Sequence, residues 1–254
     1  MRDPSASLVV VGNEVLSAKV VDENGPWLAG RLHQLGVELR SIATVRDRVE
    51  EIVEAIRRER PRAGWLITSG GVGPTHDDVT IEAVGVALDR KVVRHPRLAE
   101  IYRAIHRRVR GVEMPEAGLR MADVPEGTEL TGDLGFPTLV CDGVVMLPGV
   151  PKFLRYQFDC FAPAMGGVPF HLACVYLSVV EDQIAPALTA VAAAHPDVEL
   201  GSYPRFDEAD HAVKLTVESR KRDGVLAALE ALLAALPADA VVRVTRPGED
   251  PGPS

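Results

Sequence analysis

Apolar residues fall along this chain in two rhythms. Short unbroken runs, Leu8-Val9-Val10-Val11 and Trp65-Leu66-Ile67, predict buried strands, and Val37 to Val45 predicts a third. Helical stripes lie between them. Trp27, Leu28, Leu32 and Leu35 mark a helix with Pro26 in its first turn and Gly36 at its stop. Ile52, Val53 and Ile56 form the core face behind Asp47-Arg48-Val49-Glu50, a segment with capping-box character. Ile81, Val84 and Leu88 mark the next helix. Pro96 opens another, with Leu98, Ile101, Tyr102 and Ile105 inward.

Gly111 to Gly135 has weak periodicity and much Pro and Gly, which predicts a long loop or subdomain. Asp142-Gly143 between two apolar runs predicts a hairpin with a type I′ turn. Pro148-Gly149-Val150-Pro151 is a rigid turn before a helix with Phe153, Leu154, Phe158 and Phe161. A linker at 163–169 follows. Beyond it come strand, helix, two strands, helix and strand, and this βαββαβ order predicts a small α+β ferredoxin-like domain over 170–246. Residues 247–254 read as a disordered polar tail.

Composition narrows the class. The 254 residues are 46% hydrophobic and 25% charged, ordinary for a globular protein, with enough apolar material for a core. A net charge of −8 argues against nucleic acid as a partner. Cys141, Cys160 and Cys174 form no metal or disulfide spacing and read as buried free thiols. With no membrane-length run and no leader at Met1 to Ser7, no membrane partner and a cytoplasmic location are expected. Arg97, Arg103, Arg107, Arg108 and Arg110 on the helix after Pro96 form a solvated or partner-facing surface.

The chemistry concentrates in Thr68-Ser69-Gly70-Gly71-Val72-Gly73-Pro74-Thr75-His76-Asp77-Asp78-Val79-Thr80, where a strand runs through a glycine-rich turn into a helix. Glycines let backbone N–H groups approach an anion, and a helix start favours phosphate. Neither a P-loop nor a dinucleotide fingerprint fits: there is no lysine, and His76 stands where a third glycine belongs. Asp77 and Asp78 would repel a phosphate by about 1–4 kcal/mol per close pair. A divalent cation reverses that sign, and carboxylates with phosphate oxygens are the usual magnesium ligands. The alternative is a tight turn with an aspartate cap.

Gly70-Gly71-Val72-Gly73-Pro74-Thr75-His76-Asp77-Asp78-Val79-Thr80 resembles the signature of the molybdopterin-binding (Mog/MoaB-like) domain family. It is most similar to the branch in CinA proteins and in the amino-terminal domain of some FAD synthases. The resemblance implies a three-layer α/β domain with a parallel-rich sheet over 1–166. Asp78 matches the Asp of the Mog/MoaB loop, while Asp77 replaces its Arg. Gly12-Asn13-Glu14 and Asp22-Glu23-Asn24 match two further family elements. Asn24 reads equally as an N-cap, and Asp47 as a cap or a pocket acid. Gly149 and Pro151 read as a pocket wall or as helix initiation alone.

One departure stands out. Gly118 and Met121 occupy positions where the bacterial CinA pattern has Asn and Gln, in a segment that helps shape the family's pocket. The deamidase domain of longer CinA proteins has no counterpart, so nicotinamide-nucleotide deamidation is not expected.

The expected function is divalent-metal-dependent hydrolysis of nucleotide pyrophosphates of the ADP-ribose or FAD type, releasing AMP. Gly70, Gly71 and Gly73 would hold a phosphate. Asp77 and Asp78 would hold the metal (magnesium, manganese or cobalt, with potassium a further candidate). Thr75 and Thr80 would bond phosphate or fix the loop, and Asp47 or Glu14 would orient the water. Two rivals are molybdopterin binding or adenylyl transfer, and a non-catalytic nucleotide-binding module. A homodimer is expected by analogy with the family.

Overall fold

Every residue of the first strand, β1 (Ser5–Val11), is buried, and its side chains alternate between two cores. Ala6, Leu8 and Val10 enter one, Val9 and Val11 the other. The computed structural model describes residues 2–205 and 210–249. The chain divides into two units, Met1–Gly167 and Val168–Ser254.

In the first unit β1 is followed by a single turn, α1 (Asn13–Leu16), then α2 (Asn24–Gln34), β2 (Glu38–Val45), α3 (Val49–Glu59) and β3 (Trp65–Ser69). The signature loop leads to α4 (Thr80–Ala87), β4 (Val92–Arg94) and α5 (Pro96–Arg110). Short strands β5 (Asp123–Pro125) and β6 (Glu129–Thr131) precede the hairpin β7 (Thr138–Cys141) and β8 (Val144–Leu147), and α6 (Pro151–Phe161) follows. The main sheet runs β2-β1-β3-β8-β7-β6, with β2, β1, β3 and β8 parallel and the last two antiparallel. Leu28, Leu32, Leu154 and Phe158 of α2 and α6 cover one face, and Ile52, Ile56, Val84 and Leu98 of α3, α4 and α5 the other. These are the three layers that apolar-on-both-sides strands require.

The hairpin turns through Asp142 (φ 48°) and Gly143 (φ 86°), the two positive φ values of a type I′ turn. Of the loop and subdomain readings of Gly111 to Gly135, the structure fits the more ordered one, because a 3₁₀ segment at Glu116–Ala122 buries Leu119 and Ala122, and β5 pairs with β4. Two expectations need correction. Asp47 does not cap α3, since the helix begins after Arg48 with no side-chain cap. Phe153 is 46% exposed and does not share the core face of Leu154 and Phe158, which lie on the other side of α6.

The second unit holds β9 (His171–Leu177), α7 (Glu181–Ala194), β10 (Glu199–Pro204), β11 (Val213–Ser219), α8 (Arg222–Ala235) and β12 (Val241–Thr245). The antiparallel order β10-β11-β9-β12, with two helices packed through Ile184, Val225 and Leu229, is the ferredoxin-like arrangement. Cys141 and Cys174 are buried free thiols, whereas Cys160 is only half-buried. Among the described residues no helix is long and apolar enough to cross a membrane. Of the tail, Glu249 accepts from the Arg246 N–H, and 250–254 lie outside the described residues.

The order β2-β1-β3 reverses direction at β1, so the carboxyl ends of β1 and β3 flank a switch point. There the chains nearly touch. A Cβ on Gly70 would lie 2.4 Å from the Val11 carbonyl oxygen, and Gly70 has φ +100°. Because the clash is with backbone, Gly70→Ala is expected to cost about 1–3 kcal/mol and lower the melting temperature. An unchanged melting temperature would contradict the close approach.

Candidate active site

Four strand ends deliver residues to one edge of the sheet. β1 ends in Gly12-Asn13-Glu14, β2 in Asp47, β3 in the glycine turn, and β8 in Pro148-Gly149. Hydrogen bonds lock these together. Gly12 N–H donates to the Val45 carbonyl (3.1 Å), and Gly70 N–H to the Leu147 carbonyl (3.0 Å). Gly149 packs on Gly70 so tightly that a Cβ on it would sit 3.3 Å from the Gly70 Cα.

Asn24 is 7% exposed and stands behind this junction. Its Nδ2 donates to Ser69 Oγ (3.0 Å) and to the Gly149 carbonyl (2.8 Å). It therefore does not cap α2. Asp22 Oδ1 does that work, accepting from the Asn24 and Gly25 N–H groups at 3.0 Å each. Asp47 also has a tie rather than a cap: its Oδ2 accepts from the Asn13 N–H at 2.7 Å. Glu14 folds over Gly12, where a Cβ would meet its Oε1 at 2.7 Å.

The signature loop is pinned at its start and end. Thr80 is fully buried, and its hydroxyl donates to the Gly70 carbonyl (2.8 Å) while its N–H donates to that of Gly71 (3.0 Å). Thr80 thus fixes the loop and has no hydroxyl proton to spare for phosphate. Gly71 (φ +65°) leaves no room for a side chain, since a Cβ would strike Thr80 Oγ1 at 2.3 Å. Among the described residues the N–H groups of Gly71, Val72 and Gly73 donate to no partner.

Between the pins, Asp77 and Asp78 turn inward onto Thr75. The Thr75 hydroxyl oxygen lies 2.6 Å from Asp77 Oδ1 and 2.5 Å from Asp78 Oδ2, and the Thr75 N–H donates to Asp78 Oδ2 at 2.8 Å. One hydroxyl has one proton, so it satisfies one carboxylate and turns a lone pair to the other. The Thr75 hydroxyl holds the Asp77 carboxyl below the usual carboxylate range, with His76 adding a smaller push. Asp78 Oδ2 also leans over Gly73, 2.5 Å from where a Cβ would stand. Among the described residues no three His, Cys, Asp or Glu side chains converge as a metal cage. The donor set does fit a magnesium-like ion, which binds through one or two carboxylates plus substrate phosphate and water.

A cleft of about 940 Å³ opens beside the loop, lined by Val72 of the loop and by Pro148 of the turn after β8. Its walls include Phe136, Phe153, Tyr156, Met114 and Met121, with Lys152, Arg108 and Arg110 as cations. Pattern reading missed this cleft. It pointed to Gly149 and Pro151, but Gly149 packs against Gly70 and Pro151 starts α6, while Pro148, Lys152 and Phe153 reach the opening. The available signal was Phe153 and Tyr156, three residues apart and off the helix's apolar stripe.

Residues 7–166 match the family described as "Probable molybdopterin binding domain", and residues 169–245 match "FAD synthase, middle domain". A protein of Aeropyrum pernix is 36% identical over 219 residues, 81% of each chain. A "Probable FAD synthase" of Caenorhabditis elegans is 32% identical over 262 residues, covering 91% of this chain but 50% of that one, so the chain spans about half of that relative. Among solved structures, the protein CinA of Thermoplasma acidophilum, described there as of unknown function, superposes with a TM-score of 0.56 at 26% identity, covering 64% of this chain and 98% of that one. Layered sheet, glycine turn and sequence matches coincide over the first unit, and the chain belongs to the molybdopterin-binding domain family.

Proposed function

We propose that the first unit is a divalent-metal-dependent hydrolase of nucleotide pyrophosphates of the ADP-ribose or FAD type, releasing AMP. The observation that carries this reading is the surplus of acceptors at Thr75: two carboxylate oxygens within 2.6 Å of a single hydroxyl. A cation between them and a phosphate would remove the conflict. Asp77 and Asp78 would hold the metal, which would neutralise phosphoryl charge and lower the pKa of a water. The N–H groups of Gly71, Val72 and Gly73 would hold a phosphate; Gly70, expected in that role, has its N–H bonded to the Leu147 carbonyl and serves the close approach to Val11 instead. Thr80 and Asn24 would keep the loop and the Gly149 turn in place.

The chemistry is a displacement at phosphorus. A water oxygen attacks, the bond from that phosphorus to the bridging oxygen breaks, and the bridging oxygen leaves with the second phosphate. The water proton passes to a carboxylate, for which Asp47 and Glu14 are the candidates. Asp47 has its second oxygen available, because only Oδ2 is tied to Asn13.

A second reading is molybdopterin binding or adenylyl transfer, favoured by the description of the matching family. The presence of Asp77 weighs toward hydrolysis, since it adds an anion at a place where adenylyl transfer would profit from a cation.

The direct test is AMP release from ADP-ribose and FAD with magnesium, manganese or cobalt. Asp78→Ala is expected to lower the rate by roughly a hundredfold or more, and Asp77→Asn to weaken the metal dependence. Full activity in both variants rejects the acids as the metal site. Tight pterin binding without AMP release selects the second reading, and ligand-induced thermal stabilisation without turnover selects a non-catalytic module.

A pH prediction follows from Thr75. Its hydroxyl depresses the Asp77 pKa, so the charged form persists to lower pH than in an ordinary aspartate. Any stability this contact adds is present above the unfolded-state value and is lost as pH falls through the folded one. Thr75→Val should move the Asp77 midpoint upward in an NMR titration and shift the acid limb of turnover the same way. A midpoint that stays put would mean the hydroxyl does not set the charge.

A further inference from the structure

The cleft beside the signature loop shares Val72 with the phosphate-binding turn, but its aromatic and cationic walls are not used by the pyrophosphate chemistry just described. Phe136 packs against Phe153 with ring centroids 5.5 Å apart at 66°, and against Tyr156 at 6.3 Å and 37°. Phe153 and Tyr156 are nonetheless about half exposed, at 46% and 47%. Burying such a ring is favourable, so the open rings are a standing incentive for an apolar occupant. Met114, Met121 and Met146 line the same cleft, and methionine makes favourable contacts with aromatic rings.

Charge adds a direction. Arg94, Arg97 and Arg107 on or beside α5 are paired with Asp123, Glu100 and Glu113. Arg108, Arg110 and Lys152, which line the cleft, make no ion pair among the described residues. In a chain of net charge −8 three unpaired cations around one apolar opening mark an anion's place. The cleft's acid, Asp133, is already engaged: it accepts from the Tyr156 hydroxyl at 2.6 Å and from the Gly135 N–H at 2.8 Å. That bond also fixes the Tyr156 ring as a wall. The hydrogen bond to Asp133, with smaller pushes from desolvation and from the Asp133 charge, raises the Tyr156 pKa to about 12, so the phenol stays protonated and donating.

We propose that this cleft is a stacking subsite for a flat, fused-ring heterocycle of the flavin type bearing a phosphate, with Phe136, Phe153 and Tyr156 against the ring and Lys152, Arg108 and Arg110 toward the phosphate. It rests on the reading of the loop as a pyrophosphate site, because Val72 belongs to both. A substrate with its pyrophosphate on the glycine turn would place its non-adenylyl half here. The volume of about 940 Å³ suits an organic ligand of that size.

The test uses the full chain and binding alone, without hydrolysis. Flavin mononucleotide, riboflavin, neopterin and AMP are titrated in turn, with flavin fluorescence and calorimetry as readouts. Flavin mononucleotide is expected to bind with quenched fluorescence, more tightly than riboflavin and than neopterin. Phe153→Ser, whose exposed position should leave the melting temperature unchanged, is expected to weaken it about tenfold, which is 1.4 kcal/mol, with Phe153→Tyr restoring most of the loss. Lys152→Ala should weaken flavin mononucleotide but not riboflavin. Equal flavin mononucleotide affinity in wild type and Phe153→Ser overturns the proposal. So does neopterin binding tighter than flavin mononucleotide, and so does a Phe153→Ser variant that only changes the subunit number. Flavin binding that persists where ADP-ribose and FAD release no AMP would reject the hydrolase reading and keep the subsite. AMP release with no flavin binding would do the reverse.

Discussion

The constraint on which the rest depends is the near-contact of three backbones at the carboxyl edge of the parallel strands. Val11 ends β1, while Gly70 and Gly149 follow β3 and β8, distant in sequence; they meet where a Cβ on Gly70 would strike the Val11 carbonyl and one on Gly149 would crowd Gly70. Strand order puts the switch point there, and the switch point is where an open α/β sheet leaves a crevice. Gly70 and Gly149 are small because the backbones must close, and among the described residues the N–H groups of Gly71, Val72 and Gly73 just beyond are left without partners. Fold and site are therefore one arrangement, since the packing that seals the sheet edge also presents the donors.

Polar residues around that junction serve as ties. Asn24 links β3 to the turn after β8, Asp47 holds the start of α1, and Thr80 closes the loop on itself. The Asn24 and Thr80 bonds are buried or partly so, and their loss would leave a backbone carbonyl without its partner, an outcome costlier than the bond is favourable; the Asp47 bond is exposed and ties two segments distant in sequence. The acids of the loop are different. Asp77 is exposed and Asp78 half-buried; both lie against one hydroxyl, and beyond the turn that Asp78 closes through the Thr75 N–H they tie no helix or strand together.

Much of this was readable in the chain. The unbroken apolar runs of β1 and β3, the Asp142-Gly143 turn and the βαββαβ order of the second unit follow from periodicity and turn chemistry, which are local. The glycine turn and the paired acids were readable because they are contiguous. What escaped is what depends on distant partners. Asp47 looked like a cap because a cap needs only its neighbours, whereas its actual partner, Asn13, is 34 residues away. Asn24 read equally as cap or pocket residue until its bonds to Ser69 and Gly149 were seen. Phe153 looked like core because an aromatic beside Leu154 usually is, and only the positions of Phe136 and Tyr156 show it facing a cleft.

The double pin on the signature loop has a wider consequence. Gly70 and Thr80 are bonded to each other and to the sheet, while residues 72–79 make bonds mainly among themselves. Such a segment behaves as a cassette clipped into a fixed frame. Its acids can be exchanged for other chemistry without renegotiating the strands beneath, so a lineage could alter its reaction by rewriting eight positions and leave its architecture untouched.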